Sequence, residues 1–534
     1  MNNNRIMVDV YPNNRVKLSL YIILLALIFS TISCGEDRDE KFNSLYYYTN
    51  IEKVDNTIYF YNSENGYLKA IDIKTDKSEQ FFVGKNLDTL KKINYKLSDT
   101  TKESYLILNG KEKELFVIDG LKMKKVELPY EYNSIVSNPE LSIVTLRNVN
   151  NSDDVPISYS PNNFGFLDLS KDNLEVKSHT ISAGGGTPVN LYFSKLLKFK
   201  VNGTIKEKNL MLVEYNTKAI ILDIAEPSNF KVIPLVLENS TKTLSFKKVI
   251  FENNLRDRDE IDSTESLYIL ASGSKDLYNI SLSLNNEYKL NISISESDIQ
   301  EYASDIIYLI DDDKNGIILS YSVNSDNIYI TDTISDKKME LSINNRVKKI
   351  QRISDKKVIV IGNKSTNNIS KIDIIDIDNI FKNRSKNIKT VKFTIPIDKV
   401  TFLENQNYLL IESFLGVKTI FSFLDLDSFK IFDHHIAIAD VKTTFSKNKE
   451  KLYLYGEKDK TYFIYVDLKE ISEETLNFKL YEYDFAISNL LVVNDKIVVI
   501  NSQFFNQYYG FFDLITINEE LNIENFNHFM IEGL

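Results

Sequence analysis

Residues 57–73 read Thr57-Ile58-Tyr59-Phe60-Tyr61-Asn62-Ser63-Glu64-Asn65-Gly66-Tyr67-Leu68-Lys69-Ala70-Ile71-Asp72-Ile73. The run Ile58–Tyr61 is apolar without a break, the pattern of a short strand covered on both faces. Tyr67–Ile73 alternates, and Asn65-Gly66 between the two runs is a turn signal, so the stretch predicts a β-hairpin. The second run closes on an Asp between aliphatics.

That closing pattern recurs along the chain. Similar units end at Ile118-Asp119, Leu167-Asp168-Leu169, Leu222-Asp223-Ile224, Ile375-Asp376-Ile377, Leu424-Asp425-Leu426, Val466-Asp467-Leu468 and Phe512-Asp513-Leu514, with looser copies at Ile280-Ser281-Leu282 and Ile330-Thr331-Asp332. Successive closing positions, 72, 119, 168, 223, 281, 332, 376, 425, 467 and 513, lie 42 to 58 residues apart, a mean of 49. Room for about four short strands per repeat is what a propeller blade needs. A lone four-stranded sheet cannot bury both faces, whereas blades packed around an axis can. The fold class is therefore all-β. Ten units exceed the usual ~4–8 blades, so some units are expected to be long hairpins inside one blade. The expectation is seven or eight blades, or a larger ring. Two smaller all-β domains are the competing architecture.

A second element precedes several units: Phe445-Ser446-Lys447-Asn448-Lys449-Glu450-Lys451-Leu452-Tyr453-Leu454, Ile353-Ser354-Asp355-Lys356-Lys357-Val358-Ile359-Val360, and Gly186-Thr187-Pro188-Val189-Asn190-Leu191-Tyr192-Phe193. These strings resemble the F-S-P-D-G-x-x-L-Y-V and L-Y-A-x-D-x-x-T-G strands of YVTN-, WD40- and quinoprotein-like β-propellers. The resemblance spreads over about residues 46–520. It implies architecture and no subfamily. The chain has no Trp, which departs from the quinoprotein pattern, and its 31 Tyr and 31 Phe are expected to take over blade packing.

The first segment is of another kind. Arg15 and Lys17 precede an apolar run from Leu18 to Ile32, shorter than the ~20 residues that span a bilayer. Ser33-Cys34-Gly35 follows, and then a polar stretch begins. A small residue before the only cysteine resembles the lipobox of bacterial lipoproteins, with Thr31 in place of the usual Leu. The resemblance implies cleavage before Cys34 and acylation of that residue, including an N-acyl group such as palmitate. Two or more acyl chains anchor stably where one does not. The expected organisation is a signal peptide at 1–33, a lipidated Cys34 with a polar tether at 34–45, and a single propeller at 46–534. Removing Arg5, Arg15, Lys17 and Asp9 would take the net charge from −11 to −13.

A single cysteine excludes an internal disulfide framework and any multi-cysteine metal site. The acidic balance argues against a broad nucleic-acid footprint. Asp311, Asp313 and Asn315, in Asp311-Asp312-Asp313-Lys314-Asn315-Gly316, match the D-x-D-x-[DN]-G opening of a calcium loop. The bidentate acid is missing, since the twelfth position is Ser322, and a hairpin turn explains the string equally well. His434 and His435 are the only adjacent histidines. On a strand they would point to opposite faces and share no metal. Gly184-Gly185-Gly186 lacks the Lys-Ser/Thr of a P-loop, and Arg256–Glu260 reads as a solvated loop. No Ser–His–Asp, H-E-x-x-H or G-x-S-x-G motif is present.

Two functions remain. One is a membrane-anchored extracytoplasmic lipoprotein whose propeller binds a protein or glycan of the cell envelope as a scaffold. The other is an envelope hydrolase or lactonase-like enzyme working in the central channel, with Ca2+ as the one metal the sequence suggests.

Overall fold

The computed structural model describes residues 50–530 apart from several connecting segments, of which 150–161, 234–244 and 502–510 are the longest. These residues form ten four-stranded antiparallel sheets, each strand paired with its sequence neighbour. The sheets span residues 50–82, 89–127, 134–180, 188–233, 246–298, 305–342, 347–393, 399–436, 439–483 and 487–530, and are numbered 1 to 10 in that order. The first strand of a sheet touches the first strand of the next in sheets 1–2, 2–3, 4–5, 5–6 and 9–10. First strands therefore surround the axis. Fourth strands such as Lys77–Phe82 and Lys122–Glu127 are the most exposed and form the outside.

Second and third strands carry the core. Thr57–Asn62, Gly316–Tyr321 and Ala219–Asp223 are buried at every residue. Their alternate side chains face opposite neighbours. Tyr59 and Tyr61 pack with Tyr105 and Ile107 of sheet 2, while Ile58 and Phe60 pack with Val493 and Val498 of sheet 10. The remaining interfaces follow the same rule, giving one apolar cluster for each consecutive pair of sheets. The cluster between sheets 1 and 10 closes the ring. The chain is a β-propeller.

The ring holds ten four-stranded sheets, the larger ring that the sequence allowed beside the seven or eight blades it favoured. Each closing position falls in the third strand of its own sheet, so no unit is a hairpin inserted in another. Longer repeats grow by lengthening strands: sheet 4 opens with strands of 14 and 12 residues, Pro188–Val201 and Thr204–Tyr215. Aromatic packing does fall to Tyr and Phe. Tyr59, Tyr105, Tyr215, Tyr308, Tyr453, Phe60, Phe164 and Phe199 are among the largest fully buried side chains. Tyr59 and Tyr105 stack across sheets 1 and 2 with centroids 5.0 Å apart.

The recurrent Asp has a physical cause. Eight third strands end on it, and in seven its Oδ1 accepts the N–H two residues on: Asp72 from Lys74, Asp168 from Ser170, Asp223 from Ala225, Asp332 from Ile334, Asp376 from Asp378, Asp425 from Asp427 and Asp467 from Lys469, at 2.8–3.0 Å. Such a turn satisfies backbone donors as the strand stops. Burial alone would raise the Asp332 carboxyl, but the N–H and hydroxyl of Ser335 and the N–H of Ile334 outweigh it and hold the group below its ordinary value. Asp425 behaves likewise, burial being outweighed by Ser428 and Asp427.

Two predictions follow from this packing. Sheets 1 and 10 each keep their own four strands, so closure rests on side chains, helped by Lys53 Nζ donating to the Val492 carbonyl and Lys496 Nζ to that of Ile73. Phe60→Ala at this seam should cost about 3–5 kcal/mol, the range for deleting a buried phenyl ring, and raise protease sensitivity. A loss below about 1 kcal/mol in urea titration would show that the seam carries little of the fold. The depressed carboxyls stabilise the native state fully above the unfolded Asp value of about 3.9, and that contribution is lost as pH falls through their folded values. Asp332→Asn with Asp425→Asn should therefore be less stable at pH 7 and show a flatter acid limb in thermal melts.

Candidate binding face and channel mouth

Antiparallel order puts the start of every first strand, the 2→3 turns and the 4→1 connections at one end of the ring, the mouth. Seven aromatic side chains are exposed among the described residues. Five of them, Tyr67, Phe82, Tyr130, Tyr302 and Phe414, sit at the mouth, as do exposed Val189 and Val323. Tyr67 and Phe82 meet edge to face at 5.3 Å. Only Tyr288 and Phe478 lie at the other end.

Buried carboxylates at the interfaces join neighbouring sheets. Glu214 is fully buried at the end of a second strand and accepts from Asn190 Nδ2 (2.9 Å), Tyr192 Oη (2.9 Å) and, across in sheet 5, the Phe246 N–H (2.7 Å). Burial, with the Glu214 charge beside it, pushes the Tyr192 hydroxyl well above its ordinary value. Glu412, at the matching place in sheet 8, holds Lys399 Nζ at 3.0 Å and takes the Thr443 hydroxyl of sheet 9 at 3.2 Å. Glu252 accepts from Tyr308 Oη of sheet 6 at 2.7 Å. Their oxygens tie sheets together.

First strands carry a second recurring device. Leu90-Lys91-Lys92-Ile93, Phe246-Lys247-Lys248-Val249 and Val347-Lys348-Lys349-Ile350 repeat one apolar-Lys-Lys-aliphatic string at the mouth of sheets 2, 5 and 7. In each, the first lysine donates Nζ to a carbonyl at or just before the first strand of the next sheet: Lys91 to Ile135 (3.1 Å), Lys247 to Ala303 (2.7 Å) and Lys348 to Ile397 (3.3 Å). Lys399 makes the equivalent bond to Thr443 Oγ1 at 2.6 Å. The sequence reading missed this motif, although its repetition at the same place of three blades was a usable signal.

The residues singled out beforehand are dispersed. Asp311, Asp313 and Asn315 form the turn between the first two strands of sheet 6. There Asp311 accepts from the Asn315 N–H at 2.7 Å and from its Nδ2 at 3.2 Å, while Asp313 is exposed. The left-handed position falls on Lys314 (φ 62°). Gly316 serves packing instead, since a Cβ there would lie 2.1 Å from Tyr308 Oη. His434 lies edge-on to Phe423 and Phe432, and its neighbour His435 is exposed. Cys34, Gly184–Gly186 and Arg256–Glu260 lie outside the described residues. Among the described residues no three His, Cys, Asp or Glu side chains converge as a metal site.

No protein-family model and no curated protein matches the chain. Solved structures do resemble it. The dihydro-heme d1 dehydrogenase NirN in complex with DHE aligns at 11% identity and TM-score 0.38 over 81% of this chain and 75% of that one. A eukaryotic initiation factor aligns at 10% and 0.45 over 80% and 96%. The fission yeast SREBP–SCAP binding domains align at 11% and 0.36 over 70% and 90%. At such values they carry no argument about function.

One buried acid is ready for test. Burial raises the Asp373 carboxyl, opposed by the Thr390 hydroxyl and the Lys371 charge. A raised acid weakens the fold at neutral pH, and the penalty fades as pH falls through the folded value. Asp373→Asn should raise the melting temperature at pH 7 and lose that advantage in acid. A lower melting temperature at pH 7 would contradict the assignment.

Proposed function

We propose that the chain is a membrane-anchored, extracytoplasmic propeller that binds a protein or glycan partner of the cell envelope through the mouth of its ring. The observation that carries the reading is the gathering of five exposed aromatics at that end. Aromatic side chains combine large apolar area with few rotatable bonds, and they are enriched where proteins dock. The ring supports them on strands and short turns, which keeps the face rigid and lowers the ordering cost of association. The anchor rests on Leu18–Ile32 and Cys34. The hydrolase or lactonase reading draws no support from Glu214, Glu252 or Glu412, whose carboxylates hold neighbouring sheets together.

Cross-linking followed by purification from native membranes tests both parts. Cys34→Ala should move the protein from the membrane to the soluble fraction, and retention in the membrane would overturn the anchor. Tyr302→Ser with Phe414→Ser should abolish capture of a specific partner without lowering the melting temperature. Undiminished capture would remove the mouth from the interaction.

A further inference from the structure

The first strands hold fourteen Lys and Arg against three Asp and Glu, a net charge of +11 in a chain whose total is −11. Chance scatter would not place the positive charge on the ten strands nearest the axis of an acidic protein. Some of these cations are matched, Lys92 by Glu103 at 2.8 Å and Lys248 by Asp305 at 3.6 Å. Among the described residues the leading lysines of the repeated string are not matched in this way. Lys91, Lys247 and Lys348 are satisfied by carbonyls, which fix a direction for the ammonium group but leave its unit charge uncancelled.

The imbalance is sharpest between sheets 2, 3 and 4. Lys91 Nζ sits at the Ile135 carbonyl, Ile135 pairs with Leu146 in the next strand, and Arg147 follows directly. Arg147 donates Nη1 to the Val189 carbonyl of sheet 4 at 3.2 Å, and its buried Nε has no acceptor among the described residues. Neither cation has a carboxylate within ion-pair distance among the described residues, and both are half-buried. Burial lowers the affinity of each for its proton, and for Lys91 the Arg147 charge adds to the effect. Two like charges held together in a partly desolvated place cost stability unless an anion joins them.

We propose that the mouth of the channel is an oxyanion-binding site, with Lys91 and Arg147 at its strongest point and Lys247, Lys348 and Lys349 extending it around the ring. Its ligands carry carboxylate or phosphate groups. An arginine fork and a neighbouring ammonium suit either oxyanion. Because the cations recur on sheets 2, 3, 5 and 7, a ligand with several spaced anionic groups gains most from them. The inference does not depend on the membrane anchor or on the aromatic face.

Calorimetric titration of the full-length protein in detergent with poly-L-glutamate and, separately, with tripolyphosphate tests it. The wild type should bind at low salt and weaken as salt rises, since the Debye length shortens from about 30 Å at 0.01 M to about 10 Å at 0.1 M. Lys91→Gln with Arg147→Gln should weaken binding at least tenfold and melt no lower than the wild type. Lys247→Gln with Lys348→Gln, whose side chains are exposed, should weaken it several-fold and covers the case in which the first pair fails to fold. Lys177→Gln with Lys231→Gln, on outer strands of sheets 3 and 4, should change nothing. Tight tripolyphosphate binding would mark a compact oxyanion as the ligand, and binding of the polymer alone a ligand spread around the ring. No binding of either probe at low salt, or equal weakening by the outer-strand pair, would overturn the site.

Discussion

Every feature of this molecule depends on one constraint: the middle strands of each sheet are apolar on both faces, so each sheet needs a neighbour on each side. Ile58 and Phe60 face one way and Tyr59 and Tyr61 the other, all four buried. At roughly 25 cal/mol per Å2 of apolar surface removed from water, a bare face would forfeit much of the free energy that folds the sheet. A linear stack would leave its two end sheets half uncovered. Closing on itself is what lets the first sheet cover the last. The seam differs from the other interfaces only in joining residues more than 400 positions apart, as Lys53 and Val492 do, and its pairing therefore carries the largest loop-closure entropy.

The repeat was legible because one local device is written into nearly every unit. An Asp that ends a third strand by capturing an N–H two residues ahead works through its own turn, so the same short string recurs whatever the tertiary context. Sheet 5 lacks that Asp and reads weakly, yet its third strand, Asp276–Leu284, alternates and pairs along its whole length. The number of sheets was harder to judge for a physical reason. Sequence period reports strands per unit, whereas ring size depends on how wide a wedge each interface makes, and that depends on tertiary packing of Tyr and Phe.

The interfacial polar groups were less legible. Glu214 and Glu412 each interrupt an apolar run near the end of a second strand, Leu212-Val213-Glu214-Tyr215 and Leu410-Ile411-Glu412-Ser413. Their partners, Phe246 and Thr443, lie 32 and 31 residues away in the next sheet. Nothing local distinguishes a carboxylate that will bridge two sheets from one that will face water. The Asp311–Gly316 string shows the converse. It has the spacing of an ion loop, while its turn is organised by Asp311 with Asn315 and by the clearance Gly316 leaves for the Tyr308 hydroxyl.

Charge follows the same geometry and links architecture to use. Third strands hold twelve Asp and Glu against three Lys and Arg, the reverse of the first strands. Eight of the aspartates stand at the strand ends away from the mouth because that is where third strands stop. The paired lysines stand at the mouth because that is where first strands begin. Antiparallel order thus separates the two signs along the axis as well as radially, and a low-dielectric ring between them limits mutual screening. Turn formation accounts for the aspartates without reference to any ligand. No comparable backbone requirement calls for two successive lysines at the start of a first strand, since one already reaches the neighbouring carbonyl. The second lysine finds a carboxylate in two of the three strings, Lys92 with Glu103 and Lys248 with Asp305, so the charge left uncancelled at the mouth among the described residues is that of the first lysine, held by a carbonyl alone.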